Sequence, residues 1–280
     1  MYASINGIIL PAEEAKVSVY DRSFCYGDGL FETVRIHRGQ PLLWAAHMRR
    51  FADAAREMSL CHPFTPAELL EAALALLSAN RIVEGVLRMH LSRGVGARGY
   101  SIRGADRPVL VLTASHLSSA ALSVPPRRVV VAETVRVPGG DRFTWFKSAN
   151  RLYYVAARSE AEASGCDDAI VLNVRGEVAD FSSASLMLLR SGVLIQPPLS
   201  SGRLDGVMSA WLVEHSGLVC REESIVPASL ETSDAVLYLS SIAGVTWVSH
   251  VGASELRTGP TANQLQALWG SWASENLPSC

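Results

Sequence analysis

The sequence predicts an α+β protein of two domains, and three observations lead there. The 280 residues are 49% hydrophobic and 19% charged, a globular composition with apolar material for one large core or two smaller ones. Runs of strand and helix character follow one another in mixed order rather than in strict β–α–β alternation. A Ser-rich stretch with a Pro pair, residues 116–127 (HLSSAALSVPPR), reads as a linker. It divides a smaller α+β domain, 1–115, from a larger one, 128–280.

The elements follow in order. Asn6-Gly7 is a hairpin-type turn between short apolar runs. Trp44, Met48, Phe51, Ala55 and Met58 recur at spacings of four and three, which predicts a helix over 44–59. Thr65 as N-cap and Pro66 at the first helical position open a second helix that runs to about Asn80. Strands are expected around 85–92 and 108–114. Beyond the linker, VVVAETVRV (129–137) is a strand, and a helix over 149–164 stops at Gly165. AIVLN (169–173) is a short buried strand, and LMLLRSGVLIQ (186–196) is a hairpin turning at Ser191-Gly192. Asp205 caps a helix reaching Gly217, and a last helix starts near Pro260 and carries Leu265, Leu268 and Trp269.

Composition also excludes function classes. A net charge of −2 gives no basic field for nucleic acid. No run approaches the roughly 18 apolar residues that a membrane span needs. The start, MYASINGIILPAEEAK, lacks the basic and apolar regions of a signal peptide. Cys25, Cys61, Cys166, Cys220 and Cys280 are scattered and never form a CxxC pair. That pattern argues against a disulfide framework or a metal site and for a reducing cytoplasm.

Several residues can carry chemistry, and each admits two readings. Lys147 lies in RFTWFKSANRLYY among aromatic neighbours. Apolar surroundings disfavour a lysine's charged form and suit a nucleophilic amine; a surface lysine snorkelling past aromatics has the same sequence. Asp180, in GEVADFSSAS, is either a carboxylate partner for a pyridinium nitrogen or a turn aspartate. Arg50 falls well away from the apolar face of the 44–59 helix, where it either grips a phosphate or is solvated. Gly206, Val207 and Met208 in LDGVM form a helix start, hence a candidate anion site or an ordinary N-terminus. RGVGARGYS (93–101) interleaves glycines with Arg93, Arg98 and Tyr100; it is a carboxylate-binding loop or a flexible hairpin tip. His37 and His47 read as structural or solvated.

Taken in order, VSVYDRSFCYGDGLFETVR, HMRRF, RGVGARGYS, FKSANRL, GCDDAIVLNVRGEVAD and LDGVM resemble the class IV aminotransferase family, over about residues 4–250. The resemblance implies the fold-type IV architecture of D-amino acid and branched-chain aminotransferases. It implies pyridoxal phosphate held between the two domains of a homodimer whose subunits share their active sites. Lys147 would be the catalytic residue and the cofactor's covalent anchor, lying in the larger domain, and Asp180 would face the pyridine nitrogen. Arg50, Ser185, Gly206, Val207, Met208, Ser240 and Ser241 would complete the cofactor site. Tyr26, Phe31, Arg93, Arg98 and Tyr100 would meet a small-molecule substrate.

Within the family, RGVGARGYS, the Lys-x-x-Asn-Arg-Leu spacing of KSANRL and Met208 in DGVM are similar to the 4-amino-4-deoxychorismate lyases of folate biosynthesis. The resemblance therefore implies a carbon–oxygen lyase. The alternatives are an aminotransferase for D-amino or branched-chain amino acids and a non-catalytic cofactor-binding relative. Three positions depart from the family's pattern: Asp180 and Ser185 stand where glutamate and asparagine are usual, and Thr246-Trp247-Val248 lacks a proline before the valine.

Overall fold

A computed structural model describes residues 1–117 and 122–276. They form two compact units, each with its own sheet.

The first unit holds β1 (Tyr2–Ile5), β2 (Ile8–Pro11), α1 (Arg22–Tyr26), β3 (Gly29–His37), β4 (Gln40–Pro41), α2 (Trp44–Glu57), α3 (Pro66–Ala79), β5 (Gly85–Ser92) and β6 (Val109–His116). Its six strands are ordered β2-β1-β6-β5-β3-β4 and pair antiparallel. The turn at Asn6-Gly7 has both residues at positive φ, 49° and 85°, which joins strands without splaying them. In β5, Leu87, Met89 and Leu91 point into the core while Arg88 and His90 take the opposite face, as a period of two requires. Thr65 caps α3 in a full capping box with Glu68, worth about 1 kcal/mol. The helices α2 and α3 then lie on the sheet, α2 against β3 and α3 against β1 and β6.

The second unit holds β7 (Arg127–Val137), α4 (Leu152–Ala163), β8 (Asp168–Asn173), β9 (Val178–Phe181), β10 (Ser185–Arg190), β11 (Val193–Gln196), α5 (Val207–His215), β12 (Cys220–Glu222), α6 (Ala228–Glu231), β13 (Ala235–Ser240), β14 (Gly244–Val251), β15 (Ser254–Glu255) and α7 (Pro260–Glu275). The strand path is β12-β11-β10-β13-β14-β7-β8-β9, with β15 on β14. The sheet is mixed: β7 runs parallel to both β8 and β14, and β10, β13 and β14 pair antiparallel. Ala157 and Ala161 of α4 pack on Ala132, Ala169 and Val171, and small side chains let the helix lie close. Val129, Ile170, Phe181, Leu188, Val236 and Val248 form the larger apolar cluster. Among the described residues no helix is long and apolar enough to cross a membrane.

The structure differs from the sequence expectation in four places. First, residues 147–150 belong to the first unit, not to the domain that follows the linker. They run as an extended segment along the edge of β3: Phe31 N–H donates to Lys147 O (2.9 Å), and Ala149 N–H to Gly29 O (2.8 Å). This pairing delays α4 to Leu152. Second, Gly206 rather than Asp205 is the N-cap of α5, because the Asp205 carboxylate turns to Arg203 (3.5 Å). Third, residues 118–121 of the expected linker lie outside the described residues, and the rest of it is not loose. His116 belongs to β6. Leu122 O accepts from Trp269 Nε1 (3.1 Å), and Val124 O from Gln266 Nε2 (3.0 Å) and Thr246 Oγ1 (3.1 Å). Fourth, Arg50 is not on a solvated face, for a reason that lies in β3.

Candidate functional site

In the first unit the site starts from a buried carboxylate. Glu32 sits on β3 beside Met89 in the strand register and is 1% exposed. It therefore projects toward α2, where His47 and Arg50 occupy positions i and i+3 on one face. His47 Nδ1 lies 2.7 Å from Glu32 Oε2; Arg50 donates from Nε to Oε1 (2.8 Å) and from Nη2 to Oε2 (2.7 Å). The Arg50 fork is the strongest geometry available to a carboxylate. Burial pushes the Glu32 carboxyl upward, but Arg50 and His47 outweigh it and hold the group well below the usual carboxylate range. Burial, with Arg50 and Lys147 nearby, pushes His47 down and keeps it neutral. Since Glu32 can only accept, the His47 proton rests on Nδ1.

Lys147 approaches the same strand from its edge. Its Nζ lies 4.7 Å from the centre of the Phe31 ring. The Arg88 guanidinium lies 3.9 Å from that ring; the register pairs Phe31 with His90 and Thr33 with Arg88, so these four share one face. Phe31 thus meets two basic side chains, one from each neighbouring segment.

The glycine-rich loop splits the expected substrate residues. Arg93 is buried and fully engaged: Nε donates to Asp28, Nη1 to Ser59 O (2.8 Å) and Nη2 to Met58 O (2.7 Å). It ties off the end of α2 and is a structural staple, not a carboxylate receptor. Arg98 and Tyr100 face outward, Tyr100 at 87% exposure. Tyr26 meets Tyr100 edge-on (5.6 Å between ring centres).

In the second unit Asp180 stands on β9, buried. Its Oδ1 accepts from Leu186 N (2.9 Å) and its Oδ2 from Leu204 N (3.2 Å). The neighbouring Tyr154 phenol is pushed up by burial, with the Asp180 charge adding to it. Asp168, buried on β8, accepts from the Ser182, Ser183 and Tyr238 hydroxyls and so fixes the turn between Asp180 and Ser185. The N-terminus of α5 lies beside Ser185: a Cβ on Gly206 would stand 2.5 Å from Ser185 Oγ and 3.0 Å from Ser209 Oγ. Only glycine keeps that corner open, where backbone N–H groups and hydroxyls converge as an anion requires. Ser240 Oγ accepts from Ala243 N (3.0 Å), which shapes the turn holding Ser241.

The donor set suits pyridoxal phosphate. The first unit offers an amine and a guanidinium, and the second a carboxylate and an open helix start with hydroxyls. Glu32, Arg88, Asp168 and Ser209 are absent from the sequence expectation, and His47 is in it only as structural or solvated. For Glu32 a signal existed, a lone carboxylate inside an apolar strand run (LFETV); Asp168, the second of an Asp pair that opens such a run (DDAIVL), gave a weaker one. Arg88 had none.

The chain matches the family described as "Amino-transferase class IV" over residues 29–251. It is a class IV aminotransferase family enzyme, of the fold-type IV class that works with pyridoxal phosphate. Its relatives carry different activities. It is 28% identical to the D-alanine aminotransferase of Staphylococcus haemolyticus over 274 residues, 94% of each chain. It is 29% identical to the aminodeoxychorismate lyase of Vibrio harveyi over 256 residues, 90% of this chain and 92% of the relative. The branched-chain aminotransferase of Thermoproteus uzoniensis, solved with norvaline, superposes with a TM-score of 0.87 at 26% identity, covering 96% of this chain and 93% of that one.

Proposed function

We propose that the protein is a pyridoxal-phosphate-dependent lyase that converts 4-amino-4-deoxychorismate to 4-aminobenzoate and pyruvate. The observation that carries this reading is the Arg88 guanidinium on the Phe31 ring, beside the Lys147 amine. The exposed Arg98 adds a second positive group in the same unit. A substrate with two carboxylates suits such a field; alanine or an aliphatic branched-chain amino acid has one carboxylate and an apolar remainder.

Lys147 would hold the cofactor, Asp180 its ring nitrogen, and the Val207 and Met208 amides with Ser185, Ser240 and Ser241 its phosphate. Arg50, oriented by Glu32, would meet the phosphate. When bound, the cofactor supplies a cationic ring that accepts the electron pair left by a departing proton. The Lys147 amine removes the proton from substrate C4 as general base. Arg88 and Arg98 would hold the two carboxylates; the C3–O bond breaks as the ring becomes aromatic, the Lys147 ammonium returns its proton to the departing enolpyruvate, and that tautomerises to pyruvate. Two backbone N–H groups grip Asp180, so the shorter side chain is fixed in place without a glutamate's reach. The active form is a homodimer, supported by exposed apolar side chains around α1, Tyr20 and Phe24 among them. It works in a reducing cytoplasm, where Cys25, Cys61, Cys166 and Cys220 stay unpaired.

The test is incubation with chorismate, glutamine and an aminodeoxychorismate synthase; the expected outcome is 4-aminobenzoate and pyruvate in equal amounts. The second reading, an aminotransferase, rests on relatives at 28% and 26% identity, close to the lyase's 29%. D-alanine or L-leucine converting the cofactor absorbance to the pyridoxamine form, with no 4-aminobenzoate made, would establish it instead.

A further inference from the structure

We infer that Arg22 is a positioning residue that builds the substrate loop, holding Arg98 and Tyr100 in their outward placement. Arg22 opens α1, whose N-cap Asp21 accepts from Ser23 N and Phe24 N. The side chain is 4% exposed and turns toward the glycine-rich loop. Its Nη1 donates to Gly99 O and Ser101 O, both at 3.0 Å, and its Nη2 to Tyr100 O at 3.2 Å. Three successive carbonyls thus converge on one guanidinium. The Nε donates to Asp28 Oδ2 (2.7 Å), which fixes the direction of the fork.

Converging carbonyls repel one another, so this backbone path needs a cation inside it. Gly99 supplies the positive φ, 95°, that the curl requires. Tyr26 completes the support: its hydroxyl accepts from Gly99 N (3.2 Å), and its ring lies 5.0 Å from the Arg22 guanidinium. Gly96 sits on the Arg22 side chain, where a Cβ would meet Cδ at 3.0 Å. The loop therefore has its backbone held from beneath while its Arg98 and Tyr100 side chains face solvent. A loop so ordered meets a carboxylate without first losing conformational freedom. Lysine at position 22 keeps the charge but cannot span three carbonyls from a planar fork.

The functional part of this inference rests on the lyase reading, in which Arg98 receives a substrate carboxylate. The test uses the cofactor-loaded enzyme and the variants Arg22→Lys and Arg22→Met, with two readouts. In the first, KM for aminodeoxychorismate rises at least about tenfold while kcat stays within about threefold, and the cofactor absorbance is unchanged. In the second, trypsin cuts after Arg98 and Arg103 at least about tenfold faster in the variants than in the wild type. Unchanged KM, or a loss of cofactor binding in step with activity, would overturn the positioning role. If the wild type makes no 4-aminobenzoate, the lyase reading fails, and the trypsin comparison still decides whether Arg22 builds the loop. If neither variant folds, the wild type alone decides: cleavage after Arg98 as fast as in the denatured chain means the clamp is not formed.

Discussion

Glu32 is the residue on which the first unit's candidate site turns. Its carboxylate compensates one partly buried cation and orients one buried imidazole. Glu32→Gln removes the charge and keeps the shape, leaving the partly buried Arg50 beside a neutral amide. Breaking one side of a buried pair costs about 3–5 kcal/mol; urea denaturation of the variant should show a loss of that order. Asp180→Asn tests the role proposed for the second unit's carboxylate. An amide there cannot hold a proton on the ring nitrogen, so turnover should drop about 100-fold or more, while borohydride still fixes the cofactor to Lys147. Unchanged turnover would remove Asp180 from the role given to it. At this scale the sequence is only partly legible. Lys147 and Asp180 are ordinary residues until the whole motif order is considered. Arg50 looks solvated because helical counting describes α2 alone and cannot register a carboxylate arriving from β3. Arg93 looks like a receptor because a glycine-rich setting suggests exposure, whereas Asp28 and the end of α2 draw it inward.

Elements were easier to read where a local rule decides them. The hairpin at Asn6-Gly7, the Thr65 cap and the Ser191-Gly192 turn follow from backbone chemistry within a few residues, and each stands where that chemistry puts it. The start of α4 was not readable, because pairing with β3, more than a hundred residues away, holds 147–149 extended. Two glycines show how an element's end is used. At Gly206 an added Cβ would crowd two hydroxyl ends, Ser185 Oγ and Ser209 Oγ, which can rotate away, and would meet Ser185 Cβ at 3.4 Å, an ordinary contact. Gly206→Ala should therefore fold with little loss, under about 1 kcal/mol, yet bind pyridoxal phosphate at least about tenfold more weakly in an absorbance titration, because the anion corner is filled. Gly244 has φ 69° and its Cβ would strike the Trp269 ring, which is buried and packed on Trp211 and Trp272. A ring locked in a cluster cannot step aside. Gly244→Ala should lower stability by about 2 kcal/mol or more by thermal melting, with or without cofactor.

Across the whole molecule the ionisable groups that resist protonation all act in one direction. Asp28, Glu32 and Glu84 are held below their ordinary values of 3.8, 4.5 and 4.5; for each, burial pushes upward and is outweighed by paired arginines, histidines or N–H groups. Glu177 is drawn to about 2, chiefly by hydrogen bonds from Arg175 and Asn173. His47, His62 and His90 are each pushed below 6.5, first by burial. A group whose pKa is lower in the folded chain contributes its stability fully above the unfolded value, and that stability is lost as pH falls toward the folded value. The histidines therefore begin to cost stability below about pH 6.5, and the carboxylates add to the loss below about pH 4.5. The midpoint of urea unfolding should be flat from pH 8 to 7, decline gently to about pH 5 and drop steeply beyond. Each histidine contributes up to about 1.4 kcal/mol per pH unit to the gentle part. His47→Gln keeps a donor toward Glu32 and removes the titrating ring, so it should flatten that decline by about one proton's worth and leave the steep acid limb in place. A decline between pH 6.5 and 5 as steep in the variant as in the wild type would mean that His47 is not held neutral in the folded protein.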